Sequence, residues 1–251
     1  MQQNAVPGVL ARRARAWLSA PAALAMMALP ASAGDRAGID FIGYSANGDF
    51  FAFEEFGIQD GSGFAYSSIY VVDLRKDDWV SGTPVRVRAE SEAPSLPDIR
   101  TEAAEKAAAT LDELSISTPV QIASLIGDGV PDLPAKRLVF GVPSFTAGEI
   151  NTEHELVLSQ FPAEAASPCA EWFTAEPLGY ALSLEADGES RELHRDTTLP
   201  GSRGCPLDYR IYGVVLPFEA ATIEDGVAIL SVYPGGFEGP DRRFIAVPLA
   251  P

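Results

Sequence analysis

Few residues in this chain have chemistry to offer, and they are unevenly placed. In GEINTEHE the residues Glu149, Asn151, Glu153 and Glu155 alternate. In an extended strand successive side chains point to opposite faces, so these four oxygen-bearing groups would share one side. Hard oxygen ligands of that kind suit calcium, the one cofactor the sequence raises. The spacing lacks the bent loop that wraps about six or more oxygens round the ion, and His154 points the other way. His194 sits in LHRD without the glycine-rich loop, lysine strand or metal motifs a kinase needs, and no nucleophile elbow offers it a serine. Zinc peptidase chemistry is closed as well, because His154-Glu155 has no partner histidine four residues along.

Two further constellations stand out. Glu54, Glu55 and Glu238 lie in aromatic surroundings, and paired carboxylates come together in space rather than in sequence, so glycoside hydrolysis stays open as a class. The string GFEGPDRRF holds Glu238, Asp241, Arg242 and Arg243 between glycines and a proline. Such a corner either locks itself by carboxylate–guanidinium hydrogen bonds or presents its arginines to an anionic ligand. Arg203, in SRGCP beside Cys205, joins the same surface if a disulfide brings it there. Cys169 and Cys205 are the only two cysteines, and in an exported chain they are expected to pair.

Export is what the first 33 residues predict. Arg12, Arg13 and Arg15 precede an apolar run from Ala16 to Leu29, and Ala31-Ser32-Ala33 supplies a small-residue cleavage site, so residues 1–33 read as a signal peptide. The surroundings of Arg12-Arg13 fit a twin-arginine signal poorly, which favours the general route. Loss of the leader moves the formal charge from −17 to −20, since it carries three basic residues and no acidic one. A surface of that sign repels phosphate backbones, so nucleic acid is not an expected partner. No later segment is long and apolar enough to predict a transmembrane span in the mature chain.

The elements that must position these residues are mostly strands. Residues 34–92 read as an antiparallel meander lobe: IDFIGY, the turn SANG, DFFAFEEF, FAYSSIYVVDL and PVRVRA, with Asn47-Gly48 as a hairpin signal. In the last run Val85, Val87 and Ala89 face one way and Arg86 and Arg88 the other, the pattern of a half-buried edge strand. Residues 93–135 predict one surface helix near 98–114, with Ile99, Ala103, Ala107, Leu111 and Leu114 on a thin apolar stripe, then a Pro/Gly-rich connection between lobes. Residues 136–251 return to short strands, with Asp187-Gly188 as a second hairpin turn, and form a β-rich lobe with the disulfide. The fold class is mainly β, an antiparallel meander plus a β-sandwich or propeller-like sheets. No repeat of fixed period supports a complete propeller.

YSANGDFFAFEEFG followed by SSIYVVDL resembles one blade of the propeller repeats of periplasmic proteins. From about Gly34 through GFEGPDRRFIAV, the mature chain resembles a family of bacterial predicted secreted proteins, domain-of-unknown-function family 2259. That resemblance implies export, periplasmic or secreted, and a β-rich body, and it brings no catalytic residues. Two functional classes follow: a non-enzymatic binding or envelope-interaction module, whose partner is an envelope protein or polymer, and a hydrolase acting on envelope polymers or glycans through paired carboxylates. An enzyme should show two carboxylates converging in a cleft with raised pKa values, a binding module an aromatic patch without such a pair.

Overall fold

A computed structural model of the chain describes residues 34–127, 134–236 and 238–250. The leader expected over residues 1–33 lies outside the described residues, as does part of the Pro/Gly-rich stretch.

β1 (Gly38–Ser45), β2 (Phe50–Ile58), β3 (Ala65–Asp73), the short β4 (Asp78–Trp79) and β5 (Val85–Arg88) form the antiparallel meander that the alternating runs predict. The β1–β2 turn uses its Asn-Gly pair: Gly48 takes a φ of 76°, where a side chain is strained, while Ser45 Oγ donates to Asn47 Oδ1 at 2.7 Å and accepts from Phe50 N at 2.9 Å. α1 (Leu96–Glu113) starts two residues before the expected position. Ser95 caps it, in a capping box with Asp98, and Pro97 is tolerated because first-turn amides need no intrahelical partner. Its apolar stripe seats Ile99, Ala103 and Ala107 on Ile69 and Val87, so one face of the meander sheet is closed by the helix.

Two strands correct the reading of residues 115–127 as a plain connection. β6 (Ile116–Thr118) adds to the meander sheet beside β1, and β7 (Val120–Leu125) leaves it for another sheet. Pro119 falls between them, where no ladder amide is needed, and its presence hid both strands in the composition.

β8 (Arg137–Pro143), β9 (Ile150–Pro162), β10 (Leu178–Ala186) and β11 (Glu189–Arg195) make a four-stranded outer sheet, with the short α2 (Cys169–Phe173) between β9 and β10. Asp187 and Gly188 both take positive φ, 52° and 83°, as a two-residue hairpin requires. β12 (Pro206–Pro217), β13 (Val227–Pro234) and β14 (Arg243–Pro248) join β7 in a central sheet of order β14-β13-β12-β7.

The three sheets stack as layers rather than radiating as blades. On β13, Ala228, Leu230 and Val232 pack with Leu156, Leu182 and other residues of the outer sheet, while Val227 and Ile229 pack with Phe51 and Phe53 of the meander sheet. A strand buried on both faces has no polar alternation, which is why VAILSVY reads as a continuous apolar run. The first described residues close the far end of the edge strand: Arg242 N donates to Asp35 O at 2.8 Å and Ala37 N to Arg242 O at 3.3 Å, a parallel bridge across some two hundred residues of sequence.

Candidate functional site

Alternation on β2, β3 and β5 gives the meander sheet two different faces. The face away from α1 carries Glu55, Ser68 and Arg86 in one cross-strand row, with Phe53 opposite Tyr70 and Tyr66 opposite Arg88 in flanking rows. These side chains form one wall of a groove of about 750 Å³. The edge strand β14 forms the second wall, from Arg243 to Val247. The third comes from the outer sheet and the disulfide segment: Tyr180, His194, Arg203, Trp172 and Phe173.

An aromatic ladder crosses the first wall. Phe53 stacks on Tyr70 with ring centroids 4.8 Å apart, Tyr70 meets Trp79 edge-on at 5.4 Å, and the Arg86 guanidinium lies 5.9 Å from the Trp79 ring. Trp79 is 43% exposed and Trp172, on the third wall, 62%, so both indoles offer a bare face at the groove mouth.

Arg243 is the hub of the groove end nearest the first residues. Its Nη2 meets Asp35 Oδ2 at 2.7 Å and its Nη1 donates to Asp35 O at 3.0 Å, while Glu55 Oε1 and Asp241 Oδ2 lie at 3.6 and 3.8 Å. Tyr66 donates its hydroxyl to Asp35 Oδ1 at 3.1 Å, and Phe244 N donates to Glu55 Oε2 at 2.9 Å. Burial outweighs these donors at Glu55 and pushes its pKa from the ordinary 4.5 up to about 7. Asp241 is raised too, again chiefly by burial.

His194 anchors the opposite end. Its Nε2 lies 3.0 Å from Asp196 Oδ1, its Nδ1 3.5 Å from Asp77 Oδ2, and its ring stacks on Tyr180 at 4.8 Å. The hydrogen bond to Asp196, then the one to Asp77, pushes its pKa from 6.5 up to about 9, so it is a cation at neutral pH. Asp196 also accepts from Arg203 Nη1 at 2.6 Å and Tyr180 N at 2.9 Å. The third wall is fixed covalently: the Cys169–Cys205 disulfide, with a Cα separation of 5.5 Å, ties the helix bearing Trp172 to the segment bearing Arg203. Gly235 lets Phe173 settle there, since a Cβ at that position would stand 2.6 Å from its ring.

A family model described as predicted secreted protein (DUF2259) matches residues 52–250. The chain belongs to that family of predicted secreted proteins. No curated protein and no solved structure matches the chain. Every groove residue of this predicted secreted protein named above lies in the matched span except Asp35. Among the described residues no helix is long and apolar enough to cross a membrane.

Of the residues singled out in the sequence, the structure brings Glu55, His194, Arg203, Asp241 and Arg243 into this one groove. Arg242 is turned inward instead, buried, with its Nε donating to Ala37 O at 2.9 Å and its guanidinium 5.2 Å from the Phe244 ring. Glu238 is exposed at the loop tip and bonds to none of the described residues. The corner is tied to the chain's first described residues through its own carboxylate: Asp241 Oδ1 accepts from Asp35 N at 2.8 Å, while Asp241 Oδ2 lies 3.8 Å from Arg243. Glu54 and Glu55 lie on opposite faces of β2 and Glu238 lies apart from both, so these three do not form a pair.

The acidic run of β9 is not gathered on one side either. A bulge opposite Gly141, with Thr152 at a φ of 56°, breaks the alternation between Asn151 and Glu153. Glu149, Asn151 and Glu153 are exposed, and Glu155 is held by Arg137 at 2.5 Å. Among the described residues no three His, Cys, Asp or Glu side chains are grouped to hold a metal. The groove itself went unread in the sequence, because Trp79 and Arg86 come from the meander sheet, His194 from the outer sheet and Trp172 from α2, and nothing in their spacing links them. The one signal on offer was Arg86 and Arg88, two arginines on the outward side of a strand in an acidic chain.

Proposed function

We propose that this predicted secreted protein acts outside the cytoplasm as a non-enzymatic binding module, and that the three-walled groove is its binding surface for an envelope protein or polymer. The observation that carries this reading is the pair of exposed indoles, Trp79 and Trp172, on opposite walls of a groove whose buried carboxylates are already engaged. Glu55 and the half-buried Asp241 have the raised pKa values that an enzyme would show, but each accepts a backbone amide and borders Arg243, and Asp196 is held by His194 and Arg203. A carboxylate so engaged orients a wall, whereas a bare indole face at the mouth has area to give to a ligand.

Co-sedimentation with isolated envelope of the producing cells tests the reading. The wild-type protein should sediment with the envelope, and Trp79→Ala with Trp172→Ala should release it while the melting temperature stays within a few degrees, since Trp172 is mostly in water and Trp79 meets Tyr70 only edge-on. Undiminished retention of the double variant would remove the groove from consideration.

A further inference from the structure

We infer that the groove takes an acidic glycan, a saccharide whose carboxylate or phosphate groups are spaced along it, with Arg86 and Arg88 receiving the anions and Trp79 the sugar face; the inference rests on the groove being the binding surface.

The arginines carry most of the argument. Several other arginines of this acidic chain sit on carboxylates, Arg75 on Asp49, Arg100 on Asp40 and Glu54, Arg137 on Glu155 and Arg210 on Asp208, while Arg191 bonds a backbone carbonyl, Leu249 O. Arg86 and Arg88 are exposed, and no carboxylate among the described residues lies within ion-pair distance of either. Arg86 lies over Trp79, hydrogen-bonds the Tyr70 hydroxyl and shares its row with Glu55, and Arg88 lies 5.9 Å from the Phe64 ring. A guanidinium laid on a ring keeps its planar fork of donors open in its own plane, the geometry that grips a carboxylate or phosphate two bonds at a time. Two residues apart on one strand, the two arginines leave the wall about 6.5–7 Å apart at their Cα atoms, and their guanidiniums lie over two different rings. That is a repeat for separated anions, not for one dense cluster. The chain's net charge of −17 points the same way, because a densely charged polyanion would be repelled by the rest of the surface.

The remaining walls choose between a saccharide and an extended acidic peptide. A peptide lying along the second wall would be read through the outer edge of β14, by adding a strand. Phe244 N donates to Glu55, so the even-numbered amides of β14 are the ones that face away from β13. Of these, Arg242 N is taken by Asp35, Phe244 N by Glu55, and position 248 is a proline with no amide at all. Only Ala246 N is left to a visiting strand, which is the protected edge of a sheet that resists strand addition. A pyranose needs no ladder: its apolar C–H face lies on an indole and its charged substituent reaches the neighbouring guanidinium. Arg86 lies over one face of Trp79, which leaves the other face of the indole for the sugar.

Titration calorimetry on the full mature protein tests this with four probes: a glucuronate-containing oligosaccharide of the gellan repeat, the same oligosaccharide after carboxyl reduction, a phosphomannan oligosaccharide, and a glutamate-rich peptide. Binding of one or both charged sugars is expected, the carboxylate and phosphate arms telling which anion is read, with at least about tenfold weaker binding of the reduced sugar and the peptide. Arg86→Gln with Arg88→Gln should weaken the charged sugar by at least about tenfold at an unchanged melting temperature, and the two lysine substitutions should recover only part of it. The inference is overturned if neither charged sugar binds, if the reduced sugar or the peptide binds as well, or if the double glutamine variant binds as wild type. In each of those cases the envelope co-sedimentation of the tryptophan variants still decides the groove reading on its own.

Discussion

Glu54 and Glu55 are sequence neighbours, both buried on β2, and they live in two different worlds. Glu54 faces the helix side and receives three guanidinium contacts of 2.7–3.1 Å from Arg100 together with the Ser67 hydroxyl at 2.7 Å. Arg100 reaches Asp40 as well and lies 3.9 Å from the Phe56 ring, so the whole cluster is satisfied. Glu55 faces the groove with one backbone donor at 2.9 Å and Arg243 no nearer than 3.6 Å, and its pKa drifts up to about 7. Burial is common to both. What separates the two carboxylates is the number of donors that arrive at hydrogen-bond distance.

Removing each arginine while keeping its apolar stem is the strongest way to break the comparison. Arg243→Met should cost about 3–5 kcal/mol in urea unfolding, because it strands buried Asp35 and Glu55 together. Arg100→Met should cost about 1–3 kcal/mol, since Asp40 is exposed and Glu54 keeps Ser67. A larger loss for Arg100→Met than for Arg243→Met would reverse the ranking and the reasoning behind it.

The glutamates themselves sharpen it. A carboxyl raised from 4.5 to about 7 holds a proton in the folded protein that the unfolded chain releases, so its contribution to stability falls as pH rises from about 4.5 to about 7. Glu55→Gln should flatten the stability profile over that window and keep the bond from Phe244 N. Glu54→Gln should instead lower stability by about 1–3 kcal/mol at neutral pH by weakening the Arg100 contacts. Identical pH profiles for Glu55→Gln and wild type would be fatal to the account of Glu55.

The smallest effect belongs to His194, at the other end of the groove. With its pKa raised from 6.5 to about 9, its stabilising contribution is complete below about pH 6.5 and disappears as pH climbs through 9. Thermal melts of His194→Gln should lose the alkaline decline of the wild type between those values and leave the acid limb, set by Glu55, in place. An alkaline decline that persists in the variant assigns it to another group.

Much of the scaffold was legible because alternation and turn residues are local signals. The runs from IDFIGY to PVRVRA and from RLVFGV to RFIAVPL are the observed strands, and both Asn47-Gly48 and Asp187-Gly188 sit in their turns. Two cysteines in the whole chain were enough to anticipate the Cys169–Cys205 bond. Layer order was not legible: nothing local tells β7 to cross to β12, or β13 to lie between two other sheets. The groove was illegible for the same reason, and GFEGPDRRF shows the point in miniature. Its arginines looked ready to meet Asp241 and Glu238 nearby, but Asp241 reaches Arg243 only at 3.8 Å, and the nearer acceptors Asp35 and Ala37 lie about two hundred residues away.

That long parallel bridge also bears on the order in which the molecule can be assembled. A chain emerging amino end first presents Asp35 and Ala37 long before Arg242 and Arg243 exist to receive them, and Glu55 waits equally long for Phe244 N. The meander sheet can pair its own strands early, since its turns are short, but its groove face stays uncapped until the last strand arrives. Completion is therefore an all-or-none event reserved for the whole polypeptide, and a chain stopped before about residue 240 is expected to expose that face rather than fold around the gap. Pulse-labelled hydrogen exchange should see the amides of Ala37 and Phe244 gain protection in the same kinetic phase, later than those of the β2–β3 hairpin; protection of Ala37 in the early phase would contradict this order.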